Sequence, residues 1–258
     1  VRALWLAAGT LLTVAVLIVT ATGLVRGFAW AEPPVQSMQR SMPFTGDEIK
    51  VKASTGDVAV HFLPGEAGEL VILRHLRWSR DKPVVTENLK GDTLRLDADC
   101  KPLRAGIDTD VLCEATYTLL VPPEIRIEAE SLSGPLSVSN VFGDVHLTSV
   151  SGDLDIRATP GNVWARTDSG SVVGSGLGGD EADVAVGTGD VDLSFIVPPT
   201  KVKAVVRAGG AARVAVPESS YDVTVQAQKS DIDLESQPTS HRKINISAPK
   251  ARVFLCWC

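Results

Sequence analysis

The chain has 258 residues, 44% of them hydrophobic but only 5% aromatic, with 22 glycines and 15 prolines. Its 25 basic and 31 acidic side chains give a net charge of -6, which leaves no electrostatic case for nucleic acid, where clustered Lys and Arg are needed. Ample hydrophobicity excludes disorder, and aliphatic residues punctuated by Gly and Pro suit many short strands joined by tight turns.

From Ala3 to Val25 the sequence carries no ionisable side chain. At about 1.5 Å rise per residue, a helix of that length spans a hydrocarbon core of roughly 30 Å. Residues 1–26 are therefore predicted to be a transmembrane signal anchor. Ala29-Trp30-Ala31 leaves a cleaved signal peptide open as the alternative. The anchor predicts a cell-membrane, single-pass protein with the membrane as a partner through the N-terminal helix, and either fate puts the remainder outside the cytoplasm. Setting Arg2 and Arg26 aside leaves 23 basic against 31 acidic residues, which argues against lying flat on anionic headgroups.

Residues 27–43 show no periodicity and read as an extracytoplasmic linker, held extended by Pro33 and Pro34. Residues 44–130 read as an N-terminal β region. Val58–Phe62 alternates, Leu70–Trp78 is a longer strand, and Gly91-Asp92 is a hairpin signal between Val84–Leu89 and Thr93–Leu96. Thr116–Val121 is closed by Pro122-Pro123. Cys100 and Cys113 flank a loop-like stretch and are predicted to form a disulfide in an oxidising compartment. Such a loop gives roughly 3 kcal/mol. Two separate buried thiols are the alternative.

Residues 131–258 are a repeat. Gly134, Gly143, Gly152, Gly161, Gly170 and Gly179 fall nine residues apart, and Gly189 continues the pattern at a longer interval. Asp144, Asp153 and Asp190 follow their glycines directly, and alternating apolar positions come next, as in Val145/Leu147 and Leu154/Ile156. Glycine is expected to supply the positive φ of a tight turn, and the Asp to bond back to nearby backbone. One such unit buries two or three apolar side chains, each worth roughly 1.5–3 kcal/mol. Ordering nine residues costs about 1–2 kcal/mol each, so units must stack. The predicted fold is all-β, a single-stranded β-solenoid or β-helix of short repeats, preceded by one N-terminal transmembrane helix. An antiparallel β-sandwich is the competing architecture.

The recurring Ser-Gly-Asp-Leu-x-Ile units, such as Ser151–Ile156 and Thr188–Leu193, resemble those of the bacterial "putative adhesin" β-solenoid family, a membrane-anchored, Gram-positive type of domain of unknown function. The resemblance runs from about Phe44 to Ile246. It implies a surface-exposed solenoid and carries no catalytic residues. The chain departs from the pattern at its end, where Ala248–Val253 replaces the Ser-Gly-Asp turn and Cys256-Trp257-Cys258 follows.

No nucleophile, phosphate-loop or metalloprotease motif occurs. Calcium wants six to eight oxygens, and one Asp per turn (Asp144, Asp153, Asp180, Asp190) falls short, so no metal or cofactor is expected. His61, His75, His146 and His241 are dispersed. Trp164 lies between apolar neighbours and alternates outward, either packing locally or offering a partner-contact platform. The expected function is a non-enzymatic extended surface for adhesion or for binding an envelope protein or polysaccharide. The alternatives are a structural protein self-associating end to end, or a β-helix enzyme acting on polysaccharide.

Overall fold

The computed structural model describes residues 2–31, 33–79, 81–99 and 112–257. It opens with α1 (Arg2–Ala31). Among the described residues nineteen strands follow. The first seven are β1 (Val35–Pro43), β2 (Glu48–Thr55), β3 (Val58–Pro64), β4 (Glu69–Trp78), β5 (Val84–Lys90), β6 (Thr93–Asp99) and β7 (Cys113–Val121). Next come β8 (Arg126–Ser131), β9 (Leu136–Ser139), β10 (Val145–Ser149), β11 (Leu154–Arg157), β12 (Val163–Ser169) and β13 (Val172–Leu177). The last are β14 (Glu181–Thr188), β15 (Val191–Phe195), β16 (Lys201–Gly209), β17 (Ala211–Val216), β18 (Asp222–Ile232) and β19 (Lys243–Trp257).

From β8 to β15 each strand pairs in parallel with the second strand along the chain, not with the next. Val145 lies opposite Val163, and Leu136 opposite Leu154, eighteen residues away in each case. Two nine-residue units thus make one repeat. The offset grows to nineteen at Val172/Val191, twenty at Ala182/Val202 and twenty-one at Val191/Ala212. The register also shifts within strands, between Gly174 and Leu177 on β13 and between Val186 and Thr188 on β14.

Alternate strands therefore form two ladders. The first runs β5–β6–β2–β8–β10–β12–β14–β16–β19. The second runs β1–β4–β7–β3–β9–β11–β13–β15–β17–β19. Because side chains alternate faces along a strand, every second residue turns inward, as the burial of Val145/Leu147 and Val191/Leu193/Phe195 shows. The inward residues of both ladders form one core. It is built from Val, Leu, Ile and Ala, with Phe62, Tyr117, Phe195 and Tyr221 as its large members.

Several expectations are corrected here. The chain forms one nineteen-stranded mixed sheet in place of a single-stranded β-solenoid behind a transmembrane helix. Three pairings are antiparallel (β1–β4, β4–β7 and β5–β6), and the long β19 pairs with both β16 and β17, joining the two ladders. The parallel repeat also removes the antiparallel sandwich. Among the described residues no helix is long and apolar enough to cross a membrane. Thr13, Thr20 and Thr22 add hydroxyls, each donating to a carbonyl one turn back. The predicted single-pass membrane location falls with that helix.

The stretch expected to be linker contains β1, which pairs with β4 from Val35↔Arg77 to Pro43↔Glu69. Its side chains are mostly exposed, so backbone pairing and not apolar periodicity holds it. The hairpin at Gly91 forms as predicted, with Lys90 opposite Thr93 and Gly91 at φ 62°. Cys113 opens β7, while Cys100, its expected disulfide partner, lies outside the described residues, as does Cys258.

Candidate functional site

The corners explain the repeat glycines. An added Cβ on Gly152 would stand 2.2 Å from the carbonyl oxygen of Gly134, and one on Gly161 2.2 Å from that of Gly143. Gly134 approaches Val58, Gly143 approaches Ile125, Gly170 approaches Gly152, and Gly189 approaches Gly170 in the same way. Two glycine columns therefore run up the two corner edges of the ladders. Only Gly170 and Gly189 among these repeat glycines have positive φ, at 147° and 138°. Close stacking of one corner on the next, more than turn conformation, demands the missing side chain.

The polar residues after the glycines also act between repeats. The Ser171 amide donates to Asp153 Oδ1 at 2.8 Å, and the Asn162 amide donates to Asp144 Oδ1 at 2.8 Å. Glu181 N–H donates to Asn162 Oδ1, and Ala211 N–H to Asp190 Oδ1. Each carboxylate or amide thus accepts from the backbone of the following repeat instead of closing its own turn. Asp153→Ala is expected to lower unfolding free energy by about 0.5–1.5 kcal/mol, the net worth of a hydrogen bond at an exposed corner. Urea denaturation of the two proteins measures it, and unchanged midpoints would rule out this bond as a contributor.

The outer face of the first ladder carries an in-register polar row. Lys50, Glu128, His146, Trp164, Asp183, Lys203 and Asn245 stand opposite one another on successive strands. At about 4.8 Å per strand the row is roughly 29 Å long. Its charges are largely paired across strands. Lys50 Nζ lies 2.5 Å from Glu128, Lys52 2.8 Å from Glu130, Arg166 2.7 Å from Asp183 and Lys201 3.1 Å from Glu181. The Lys50 ammonium holds the Glu128 carboxyl below its usual range, and Glu128 raises Lys50 in turn.

Trp164 sits at the middle of this row, partly exposed. The His146 ring centroid is 4.1 Å from it at 59°, and the Arg166 guanidinium lies 4.4 Å from its ring centre. Arg166 is fixed by donating to the Ala165 and Asp183 carbonyls. His146, Trp164 and Arg166 thus form a braced aromatic–cationic patch. The sequence singled out Trp164; its two neighbours were missed, although each lies in register with it or two residues away.

The second ladder brings together a pair that the sequence did not reveal. His61 Nδ1 and Ser137 Oγ are 2.5 Å apart, from strands seventy-six residues distant. Burial pushes the His61 pKa below its usual value, with Asp155 opposing. Asp155 is itself bound to Arg157 at 2.9 Å, and Ser137 separates it from His61 in the row. Because folding weakens His61's hold on its proton, the unfolded chain binds more protons below about pH 6.5. Stability should therefore fall as pH drops through and below about 6.5, and His61→Gln should flatten that slope. Denaturant melts across this window test it; equal slopes would contradict it.

Elsewhere, His75 Nδ1 meets Ser37 Oγ at 3.0 Å, and His241 lies in the loop before β19.

Several solved structures align with this chain. One described as a putative adhesin from Bacteroides fragilis aligns with a TM-score of 0.50 at 12% identity, covering 88% of this chain and 99% of its own. Another putative adhesin, from Parabacteroides distasonis, gives 0.48 at 13% identity over 87% and 98%. A putative cell adhesion protein from Clostridium sporogenes gives 0.34 at 14% identity over 86% and 100%. No protein-family model matches the sequence, and no curated protein matches it. The chain has the fold of the Bacteroides fragilis protein, and at 12% identity the likeness is one of fold.

Proposed function

We propose that this protein is a non-catalytic binding protein of adhesin type, and that the outer face of the first ladder engages an extended polysaccharide centred on Trp164. The observation that carries the reading is the placement of a partly exposed indole midway along a straight row of outward polar residues. A polymer needs repeated contacts in a line, and parallel strands at constant register supply them. Indole offers a flat apolar face against which a sugar ring can pack. Cross-strand pairing makes most of the surrounding charges internal partners, which favours a neutral or weakly charged ligand. The adhesin description of the protein with the shared fold agrees with this reading.

The test is binding of the full chain to immobilised bacterial polysaccharides. Trp164→Ala should weaken binding about tenfold, equivalent to about 1.4 kcal/mol. A variant that binds like wild type would remove the site. Binding only to envelope proteins, or turnover of the polymer, would replace the reading with a protein-partner or enzymatic one.

A further inference from the structure

The row that carries Trp164 does not stop at Lys50. Thr93 on β6 stands opposite Lys50, and Lys90 on β5 stands opposite Thr93, so the row runs two strands further, to the edge of the first ladder. The row beside it continues likewise, from Lys52 to Arg95 and Asn88. Among the described residues, Asn88, Lys90, Thr93 and Arg95 line a cavity of about 560 Å³ at this end of the face. At about 4.8 Å per strand it lies roughly 19–24 Å from Trp164.

The lining holds two cations, an amide and a hydroxyl, and no carboxylate. The carboxylates on the adjoining strands are engaged elsewhere. Glu48 and Glu128 both meet Lys50, at 3.3 and 2.5 Å, Glu130 meets Lys52, and Asp97 accepts from Thr55 at 3.2 Å. Asp92 belongs to the hairpin turn, outside the lining. Lys50, Lys52, Arg166 and Lys201 on this face each have an acidic partner, but among the described residues none meets Lys90 or Arg95. Arg95 also stands directly opposite Lys52, a like-charge pair that costs stability unless an anion intervenes.

Lys90 and Arg95 are diagonal neighbours across the β5–β6 hairpin, about 7–8 Å apart and within reach of each other through long side chains. One anionic group between them can accept from the Lys90 ammonium and from the forked guanidinium of Arg95. Asn88 and Thr93 add neutral groups that can bond sugar hydroxyls. The arrangement suits one negative charge on a ring and not a run of charges, because Glu48, Glu128 and Glu130 on the next strands repel a polyanion. We propose that this cavity is the acid subsite of the Trp164 row, taking the carboxylate or phosphate of an acidic sugar within an otherwise neutral polysaccharide. The subsite narrows the ligand of that row and rests on the row binding polysaccharide.

The test is binding of the full chain to a neutral glucan and to the same glucan sparsely oxidised to uronic acid or sparsely phosphorylated. Wild type should bind one or both acidic forms about tenfold more tightly than the neutral one, and salt at about 0.5 M should erase most of that preference. Lys90→Gln with Arg95→Gln, at two exposed positions, should bring acidic binding down to the neutral level and leave neutral binding unchanged, whereas Trp164→Ala should weaken both. Equal binding of acidic and neutral glucan by wild type, or a preference that survives in the double variant, overturns the subsite and leaves the Trp164 row intact. If neither glucan binds, the Trp164 row fails and the cavity is decided by NMR. Glucuronate or a sugar phosphate should shift the backbone amides of Asn88, Lys90, Thr93 and Arg95 in wild type, with glucose without effect and the double variant silent. Absent shifts, or shifts spread equally over the paired Lys201 and Lys203, overturn the anion site itself.

Discussion

Gly152→Ala is expected to lower the unfolding free energy by about 3 kcal/mol, at the upper end of overpacking costs. The methyl group would stand 2.2 Å from the Gly134 carbonyl oxygen and 2.8 Å from Ser149 Oγ. The first of these is backbone, which cannot rotate away, so the two stacked corners must separate. That separation also strains the bond from the Gly152 amide to Ser149 Oγ at 2.7 Å and the one from Thr167 Oγ1 to the Gly152 carbonyl at 3.1 Å. Gly68→Ala is the control. Gly68 has φ 82° with nothing near its missing Cβ, so it tests conformation alone and should cost about 1 kcal/mol. Urea denaturation of both variants decides the matter. Equal costs would mean that turn conformation, and not corner stacking, fixes the repeat glycines.

The second large effect is expected at the opposite end of the core. Arg74 on β4 and Glu87 on β5 lie on strands that do not pair, one in each ladder, and meet at 2.6 Å with side-chain exposures of 12% and 10%. Glu87 also accepts from the buried Tyr117 hydroxyl at 3.2 Å. Burial and the facing Glu87 carboxylate push the Tyr117 phenol well above its ordinary range, so it stays a donor at all working pH values. The cluster bridges the two ladders where the first repeats end. Arg74→Ala leaves a carboxylate buried without its cation and should cost about 3–5 kcal/mol. Replacing both partners, Arg74→Met with Glu87→Leu, should recover most of that loss, because two buried charges are removed together. Denaturant melts of the singles and the double give the coupling. A double variant as unstable as the sum of the singles would show that the two groups do not act as a pair.

The fold was legible in the sequence where local chemistry and register coincide. The nine-residue glycine rhythm marked half of each eighteen-residue repeat, and alternation at Val145/Leu147 and Leu154/Ile156 marked the inward faces. The reason for the glycines was not legible. A turn that needs positive φ and a corner that needs clearance look the same in one sequence, and only stacking distinguishes Gly152 from Gly68. Asp153 illustrates the same limit: its acceptor role was expected, but its donor is Ser171 in the next repeat. β1 was missed because an edge strand held by backbone bonds needs no apolar period. The unbroken apolar run at the N-terminus suggested a membrane span, but among the described residues no helix is long and apolar enough to cross a membrane.

The candidate site was half legible. Trp164 announced itself by alternating outward, but His146 and Arg166 became its neighbours only through the parallel pairing of β10 with β12. His61 and Ser137, and Arg74 and Glu87, owe their meetings to topology that no local pattern encodes.

The most direct measurement is covalent surface footprinting of the full chain with and without a bound bacterial polysaccharide. Protection should fall on Trp164 and His146 and extend along the row to Lys203 and Lys50, with the second ladder's outward residues, including Asp192 and Arg213, unchanged. Protection centred on that second face, or spread evenly over both, would contradict a binding row built on the first ladder.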